Sequence, residues 1–424
     1  FIVQAPAGSG KTELLVRRYL CLLAQVNEPE EVLAVTFTRK AAAEMQRRIV
    51  GALALDSVPE LRPLVAAVRA RDEARGWQLS RHPARLRIST IDALNAALAR
   101  SAPVSAGASV LRSITLQPDR LYRLAARATL RLLAETSGPA VAVANLLRHL
   151  DNDPDRAEEL LALLLDRRDQ WLPFIGAGQD PVAARSDLER SLARLVEREL
   201  ECVEVSMPGE LRAELAEVVH AAAINLGVDL SAGQSLAERA TWWQFASRLF
   251  LTEKEEWRQS FNVKNGIPAD QKDLKAHAMQ ILGALGAADG VLEALVSAKK
   301  LPLPHYSPGQ WSALESLLTL LPYAAAELKL AFASEGETDY AEIAAEGRLA
   351  LGDETAPSEL ALRVDWRLQH LLLDEFQDTS QAQYALLRAL TRGWTPGDGR
   401  TLFLVGDPMQ SIYRFRQAEV RLFL

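Results

Sequence analysis

The sequence is poor in the residues that most metal and disulfide architectures need. Only two of its 424 residues are cysteine, Cys21 and Cys202, and they lie far apart. Two distant thiols make neither a disulfide framework nor a metal site, and they fit a reducing, cytoplasmic setting. The six histidines (His82, His149, His220, His277, His305 and His370) show no ligand spacing, which leaves them as surface or packing residues. No apolar run is long enough to span a bilayer and no secretory signal opens the chain, so a membrane is not expected among its partners. Excess positive charge is also missing, the formal net charge being −7. That argues against a general nucleic-acid glue but leaves room for a local basic groove. Internal repeats and low-complexity tracts are absent as well. What remains, 49% hydrophobic and 24% charged residues, describes a globular chain with room for two or three domains.

The informative stretches stand near the two ends. Ala5-Pro6-Ala7-Gly8-Ser9-Gly10-Lys11-Thr12 follows the apolar Phe1-Ile2-Val3 and precedes a helical pattern from Leu14 to Leu23. Strand, glycine-rich turn, lysine, hydroxyl and helix form the layout of a phosphate-binding P-loop. Gly8 and Gly10 let backbone N–H groups approach a triphosphate, Lys11 brings a positive charge, and Thr12 offers a hydroxyl to Mg²⁺ at a helix N-terminus. The strict pattern has Gly at its first position, where this chain has Ala5. Phe1 in place of Met, and an end in mid-pattern at Glu419 to Leu424, suggest part of a longer chain.

Further along, residues 31–37 read as a buried strand, with Thr38 capping a helix that runs through Ile49. Phe37, Thr38 and Lys40 then stand on the rim of a sheet, where ligands bind. Phe37 has two readings, a stack under a base or a core side chain. The arginines between Arg62 and Arg87 read as a solvated face in preference to a DNA contact. Leu86 to Ser89 forms a short strand leading into the turn at Thr90. From Pro103 to Gly336 β-branched alternation gives way to Leu/Ala/Glu/Arg stretches at helical spacing, broken at Pro and Gly clusters. Trp171, Trp242, Trp243, Trp257 and Trp311 read there as packing residues. The sheet pattern returns with His370-Leu371-Leu372-Leu373, which ends in Asp374-Glu375-Phe376-Gln377-Asp378-Thr379. Such a strand end is the expected second half of a P-loop ATPase, with Asp374 holding Mg²⁺ through water and Glu375 acting as general base or orienting the attacking water. A last strand, residues 401–405, leads to Gly406-Asp407-Pro408-Met409-Gln410 and then Tyr413-Arg414-Phe415-Arg416, a candidate stacking and phosphate platform.

Taken together, these motifs resemble the first half of a superfamily 1 DNA helicase of the UvrD/Rep type, nearer to the RecB/AddA branch. Ala5 to Thr12, Thr36 to Met45, Ser89 to Leu94, Leu373 to Thr379 and Gly406 to Arg416 occur in the family's order. The resemblance implies an α/β fold: a RecA-like P-loop parallel sheet domain (1–102 and 337–424) interrupted by a large all-helical insertion (103–336). It implies ATP and Mg²⁺ as cofactors, with Ala5 to Thr12 at the nucleotide, Thr12 and Asp374 at the metal, and Glu375 as catalytic base. Gln377 and Gln410 would sense the γ-phosphate. Phe37, Thr38, Lys40, Thr90, Tyr413, Phe415 and Arg416 would face single-stranded DNA. The implied activity is ATP-driven 3′→5′ translocation and unwinding of duplex DNA in repair or recombination. Two alternatives stand beside it. One is the motor of a helicase–nuclease that works with a nuclease partner subunit; the other is an ATP- and DNA-binding half-motor without turnover of its own. Three positions depart from the family pattern: Arg39 for a usual Asn, Asp92 for a frequent His, and Gln417 for a usual Gly.

Overall fold

The computed structural model describes every residue except 7–9, 55–58, 102–111, 137, 176–180, 231–234, 353–355, 408 and 410–424, with backbone alone at 181 and 182. The chain opens with β1 (Ile2–Gln4), α1 (Lys11–Leu23), β2 (Val32–Thr36), α2 (Arg39–Ala54), α3 (Arg62–Arg75), β3 (Arg87–Thr90), α4 (Ile91–Ser101), β4 (Ser113–Ile114) and α5 (Asp119–Arg131). Helices follow: α6 (Gly138–His149), α7 (Pro154–Asp166), α8 (Arg168–Trp171), α9 (Pro181–Ser206), α10 (Leu211–Asn225), α11 (Leu236–Phe250), α12 (Lys272–Gly286), α13 (Val291–Lys299) and α14 (Pro308–Glu335). The last elements are β5 (Glu337–Thr338), α15 (Tyr340–Ala350), α16 (Glu359–Arg367), β6 (His370–Leu373), α17 (Gln381–Leu390) and β7 (Thr401–Gly406). They fall in two compact units, one of Phe1–Leu132, Pro154–Phe174 and Leu321–Leu424, the other of Leu133–Asp153 and Ile175–Leu320.

The first unit is built on a parallel sheet of order β1-β7-β6-β2-β3. Its central strands β2 and β6 are buried along their whole length, as parallel strands covered on both faces must be. Alternation sends Val32 and Ala34 to one face, where Leu15, Tyr19 and Leu23 of α1, Met45 and Ile49 of α2 and Val65 and Val68 of α3 cover them. Leu33 and Val35 face the other way, against Ile91, Leu94 and Leu98 of α4 and Leu386, Leu387 and Leu390 of α17. The arginine run is partly a set of tethers: Arg71 Nε donates to the Val26 carbonyl at 2.9 Å, and Arg85 pairs with Glu30 and Glu28 at 2.7 Å. Trp77 Nε1 adds a bond to the Asn27 carbonyl at 3.0 Å, so the α1–β2 connection is held from several sides.

Where α15 passes α4, Gly347 allows a close approach, because a Cβ there would stand 3.0 Å from the Asn95 carbonyl oxygen. A buried network fixes the start of α15. Arg168 donates to both oxygens of Asp339 at 2.8 and 2.6 Å, and Tyr122 Oη donates to Asp339 Oδ2 at 2.6 Å. The Arg168 guanidinium and these hydrogen bonds outweigh burial and hold the Asp339 carboxyl below its ordinary range.

Two expectations need correction. Residues 103–336 are not wholly helical, because Ser113–Ile114 pairs in parallel with Glu337–Thr338 as a small second sheet. Among the described residues one helix, α14, is long and apolar enough by length and composition to cross a membrane. Its Ala324, Leu328 and Phe332 are buried against Leu121, Ala125 and Leu165 in the protein's own core.

The second unit packs α9 to α13 around Val196, Leu200, Val219, Phe250, Ile281 and Leu285. Trp242 and Trp243 meet edge to face at 4.8 Å, and Phe250 meets Phe261 at 5.7 Å. These tryptophans are packing residues, as their helical context suggests. Lys299 and Lys300 pair with Glu253 and Glu255 at 3.3 and 2.7 Å.

Candidate active site

The carboxyl edge of the sheet gathers the polar strand ends. Gln4 at the end of β1 is in register with Gly406 at the end of β7, and the Ala5 N–H donates to the Gly406 carbonyl at 3.0 Å. Ala5 is buried by this pairing, while Pro6 is exposed. Gly10 caps α1 with φ 82°, a left-handed value that strains any residue carrying a Cβ. That conformation turns the chain into the helix and places Lys11 and Thr12 in its first turn. Ala7, Gly8 and Ser9 lie outside the described residues, as do Gln410, Tyr413, Phe415, Arg416 and Gln417.

β6 ends two strands away, and its exit brings the acidic pair up to α1. Lys11 Nζ lies 2.8 Å from Glu375 Oε2, a contact between residues 364 apart in sequence. Glu375 itself has φ 51° and ψ 44°. A non-glycine residue in this region costs backbone energy, and such residues cluster where function fixes a side chain. The Glu375 N–H donates to Asp374 Oδ1 at 3.0 Å, tying the two acids together. Burial first, and the neighbouring Glu375 charge second, push the Asp374 carboxyl up to about 6. A cation placed against Asp374 would relieve that penalty.

Gln377 braces the pair. Its Nε2 donates to Glu375 Oε2 at 2.8 Å, and its Oε1 accepts the Asp407 N–H at 2.9 Å. Gln377 is buried, and both ends of its carboxamide are engaged with the protein. Asp407 thus joins the site through its backbone, and its Oδ1 accepts the Met409 N–H at 3.1 Å. The strand-end motif contained Asp407, but nothing local in the sequence indicated a bond to Gln377.

The rim beyond β2 carries Phe37, half-buried, with Thr38 and Lys40 exposed. Thr38 caps α2 as its position suggests, its Oγ1 accepting the Ala41 N–H at 3.1 Å. Thr90 plays the same part for α4, accepting the Ala93 N–H at 3.2 Å, and is buried. It differs in this from Thr38 and Lys40, whose side chains stand in solvent.

Three or more His, Cys, Asp or Glu side chains that could hold a metal together are not found among the described residues. Asp374 and Thr12 are a sparse, hard-oxygen set. That set fits Mg²⁺, which keeps several waters and takes further oxygens from substrate phosphates.

The whole chain, residues 1–424, matches the family described as the UvrD/REP helicase N-terminal domain. It is similar to an ATP-dependent helicase/nuclease subunit of Levilactobacillus brevis, at 26% identity over 100% of this chain and 34% of that protein. The protein of the same description from Exiguobacterium sibiricum is 26% identical over 100% of this chain and 35% of its own length. That of Lysinibacillus sphaericus is 46% identical over 17% of this chain and 6% of its own. The chain therefore spans about a third of the length of the first two of these relatives. Because the family match runs through both halves of the sheet and everything between them, the chain belongs to the UvrD/REP helicase N-terminal domain family.

Proposed function

We propose that this chain is the ATP-hydrolysing part of an ATP-dependent DNA helicase that translocates 3′→5′ on single-stranded DNA in repair or recombination. The observation that carries the reading is the 2.8 Å pairing of Lys11 with Glu375. It joins the lysine of the glycine-rich turn to the carboxylate at the end of β6, the two groups that water attack on a γ-phosphate requires.

In the proposed reaction the Glu375 carboxylate takes the proton of the attacking water. A water oxygen–phosphorus bond forms, the bond to the β,γ-bridging oxygen breaks, and ADP and phosphate leave. Mg²⁺, held by Thr12 and Asp374, would neutralise charge on the phosphates. Lys11 leaves Glu375 for the phosphates when nucleotide arrives, which frees the carboxylate to act as base. Gln377 is a positioning residue that holds Glu375, and Gln410 is assigned to the γ-phosphate by its motif. Ala5 to Thr12 cradle the phosphates.

Residues 1–102 and 337–424 form the motor domain in this reading, with 103–336 as the insertion. Phe37, Thr38 and Lys40 face the DNA strand, joined by Tyr413, Phe415 and Arg416. Thr90 acts there by shaping the start of α4. A second reading is supported by the helicase/nuclease relatives: the motor of a helicase–nuclease that works with a nuclease partner subunit. Cys21 and Cys202 are both free thiols, in keeping with a cytoplasmic location.

The test is ATP turnover by the full-length protein containing this chain, with and without single-stranded DNA, using Lys11→Ala as the blank. DNA-stimulated turnover that disappears in Lys11→Ala is expected. Turnover that survives the substitution sinks the reading.

A further inference from the structure

Thr36 ends β2 and is 2% exposed, yet it carries a hydroxyl where the rest of the strand is aliphatic. Strand alternation puts its side chain on the face of Val32 and Ala34, the face that α2 covers. From there its Oγ1 donates to the Thr38 carbonyl at 3.1 Å, across Phe37. The same carbonyl accepts the Ala42 N–H at 3.0 Å, in the first turn of α2. The hydroxyl therefore ties the last residue of the strand to the helix start that holds Thr38 and Lys40 out in solvent.

On its other side Thr36 adjoins the acid strand. The Asp374 N–H donates to the Val35 carbonyl at 3.0 Å, and the Glu375 N–H donates to Asp374 Oδ1 at 3.0 Å. One hydrogen bond and one peptide unit thus separate Thr36 from the Asp374 backbone. Beyond Thr36 two routes lead to the rim. The covalent route runs through φ and ψ of Phe37, soft torsions that absorb a displacement. The hydroxyl bond bypasses them. Met45 and Ile49 pack the body of α2 on the sheet, so the effect of the bond falls on the first turn of the helix. Thr90 stands opposite Thr36 in register, but its Oγ1 accepts the Ala93 N–H and caps α4 instead.

We propose that Thr36 is a positioning residue that couples nucleotide binding at Asp374 and Glu375 to the DNA-facing turn at residues 37–40. Charge arriving at Asp374 pulls on its peptide, the Val35 carbonyl follows, and the Thr36 hydroxyl carries the shift to the Thr38 carbonyl. The inference rests on the DNA-motor reading above, because both ends of the link take their roles from it. It adds a shared free energy between the two ends, which acts equally in both directions. Position between two sites is not itself coupling, so the test has to read the coupling directly.

The experiment measures oligo(dT) affinity for the full-length protein and its Thr36→Val and Thr36→Ser variants, each with and without Mg²⁺ and a non-hydrolysable ATP analogue. Valine keeps the branched shape and leaves the Thr38 carbonyl its bond from Ala42, so Thr36→Val should fold as the parent does. In the parent the analogue should change oligo(dT) affinity by about fivefold or more, the lower end of coupling between sites. Thr36→Val should bring that factor to about one, with oligo(dT) affinity in the absence of nucleotide unchanged. Thr36→Ser keeps the hydroxyl and should restore the factor. A factor that survives Thr36→Val overturns the proposal. Weaker oligo(dT) binding by Thr36→Val without nucleotide also overturns it, because the hydroxyl then only shapes the DNA surface. So does a Thr36→Ser variant that behaves like Thr36→Val. A parent whose ATP turnover responds to DNA, but whose oligo(dT) affinity ignores the analogue, rejects the coupling and leaves the motor reading standing. A parent that shows neither response removes both.

Discussion

The two compact units spend their polar groups differently. In the second unit, among the described residues, the buried polar side chains are Ser247 and Ser316, inside a core of leucine, valine, alanine and aromatic residues. The sheet-bearing unit buries Thr36, Asn95, Arg168, Asp339, Gln377, Asp378 and Asp407 among others. Burying such groups is costly unless each finds a partner, so a fold that keeps many of them holds them in defined places. A core made only of hydrocarbon contacts supports a shape; a core threaded with paired charges and carboxamides can also hold a reactive group. This contrast separates the scaffold from the chemistry in one chain.

Five substitutions would break or sharpen the contrast. The largest effect is expected at Glu375→Gln in the full-length protein, where loss of the base should lower ATP turnover by about 10²–10⁴-fold with nucleotide binding retained. Turnover and equilibrium binding measured side by side check it, and equal loss of both would mean that Glu375 holds nucleotide instead.

Next come matched lesions in the two cores. Phe250→Ala removes a fully buried ring from the second unit and should cost about 3–5 kcal/mol in denaturant unfolding, with ATP affinity unchanged. Asp339→Asn keeps the helix cap but strips the main counter-charge from buried Arg168. It should cost a similar amount, about 3–5 kcal/mol, in the first unit. If Asp339→Asn proves harmless, the network is not what holds α15 in place.

Gly347→Ala places a Cβ 3.0 Å from the Asn95 carbonyl oxygen and should cost about 1–3 kcal/mol through overpacking of α15 on α4. A neutral result in thermal melts would show that the two helices can part by a few tenths of an ångström.

The smallest effect concerns pH. Burial, aided by the Arg18 charge, lowers the His370 imidazole from 6.5 to about 4. The native protein therefore holds His370 neutral while the unfolded chain protonates near 6.5. Its contribution to stability is full above pH 6.5 and is lost as pH falls toward 4. Replacing His370 by Gln should flatten that part of the melting-temperature profile, and an unchanged slope would assign the acid sensitivity elsewhere.

Much of the site was legible because its signals are local. The β1–turn–α1 layout, the Thr38 cap and the acidic end of β6 each follow from a few adjacent residues whose backbone demands are known. The parts that were not legible depend on residues far apart in sequence. Arg71 and Arg85 look like a solvated charge run, yet they grip residues 26–30 through tertiary contacts. Gln377 reads as a phosphate sensor from its motif, while its bond to the Asp407 N–H depends on β7 lying beside β6.

The placement of β1 has a consequence for how the protein is made. Its partner in the sheet is β7, about 400 residues later in the chain. At a synthesis rate of about 5–20 residues per second, Ile2 and Val3 wait roughly 20–80 s on the ribosome for the strand that pairs with them. Helix pairs between them that are close in sequence, such as α5 with α7 and α12 with α13, can form during that interval. β1 is thus made long before its neighbour in the sheet and is among the last pieces of the sheet to be fixed, so the Ala5 N–H bond to the Gly406 carbonyl cannot form until β7 has emerged.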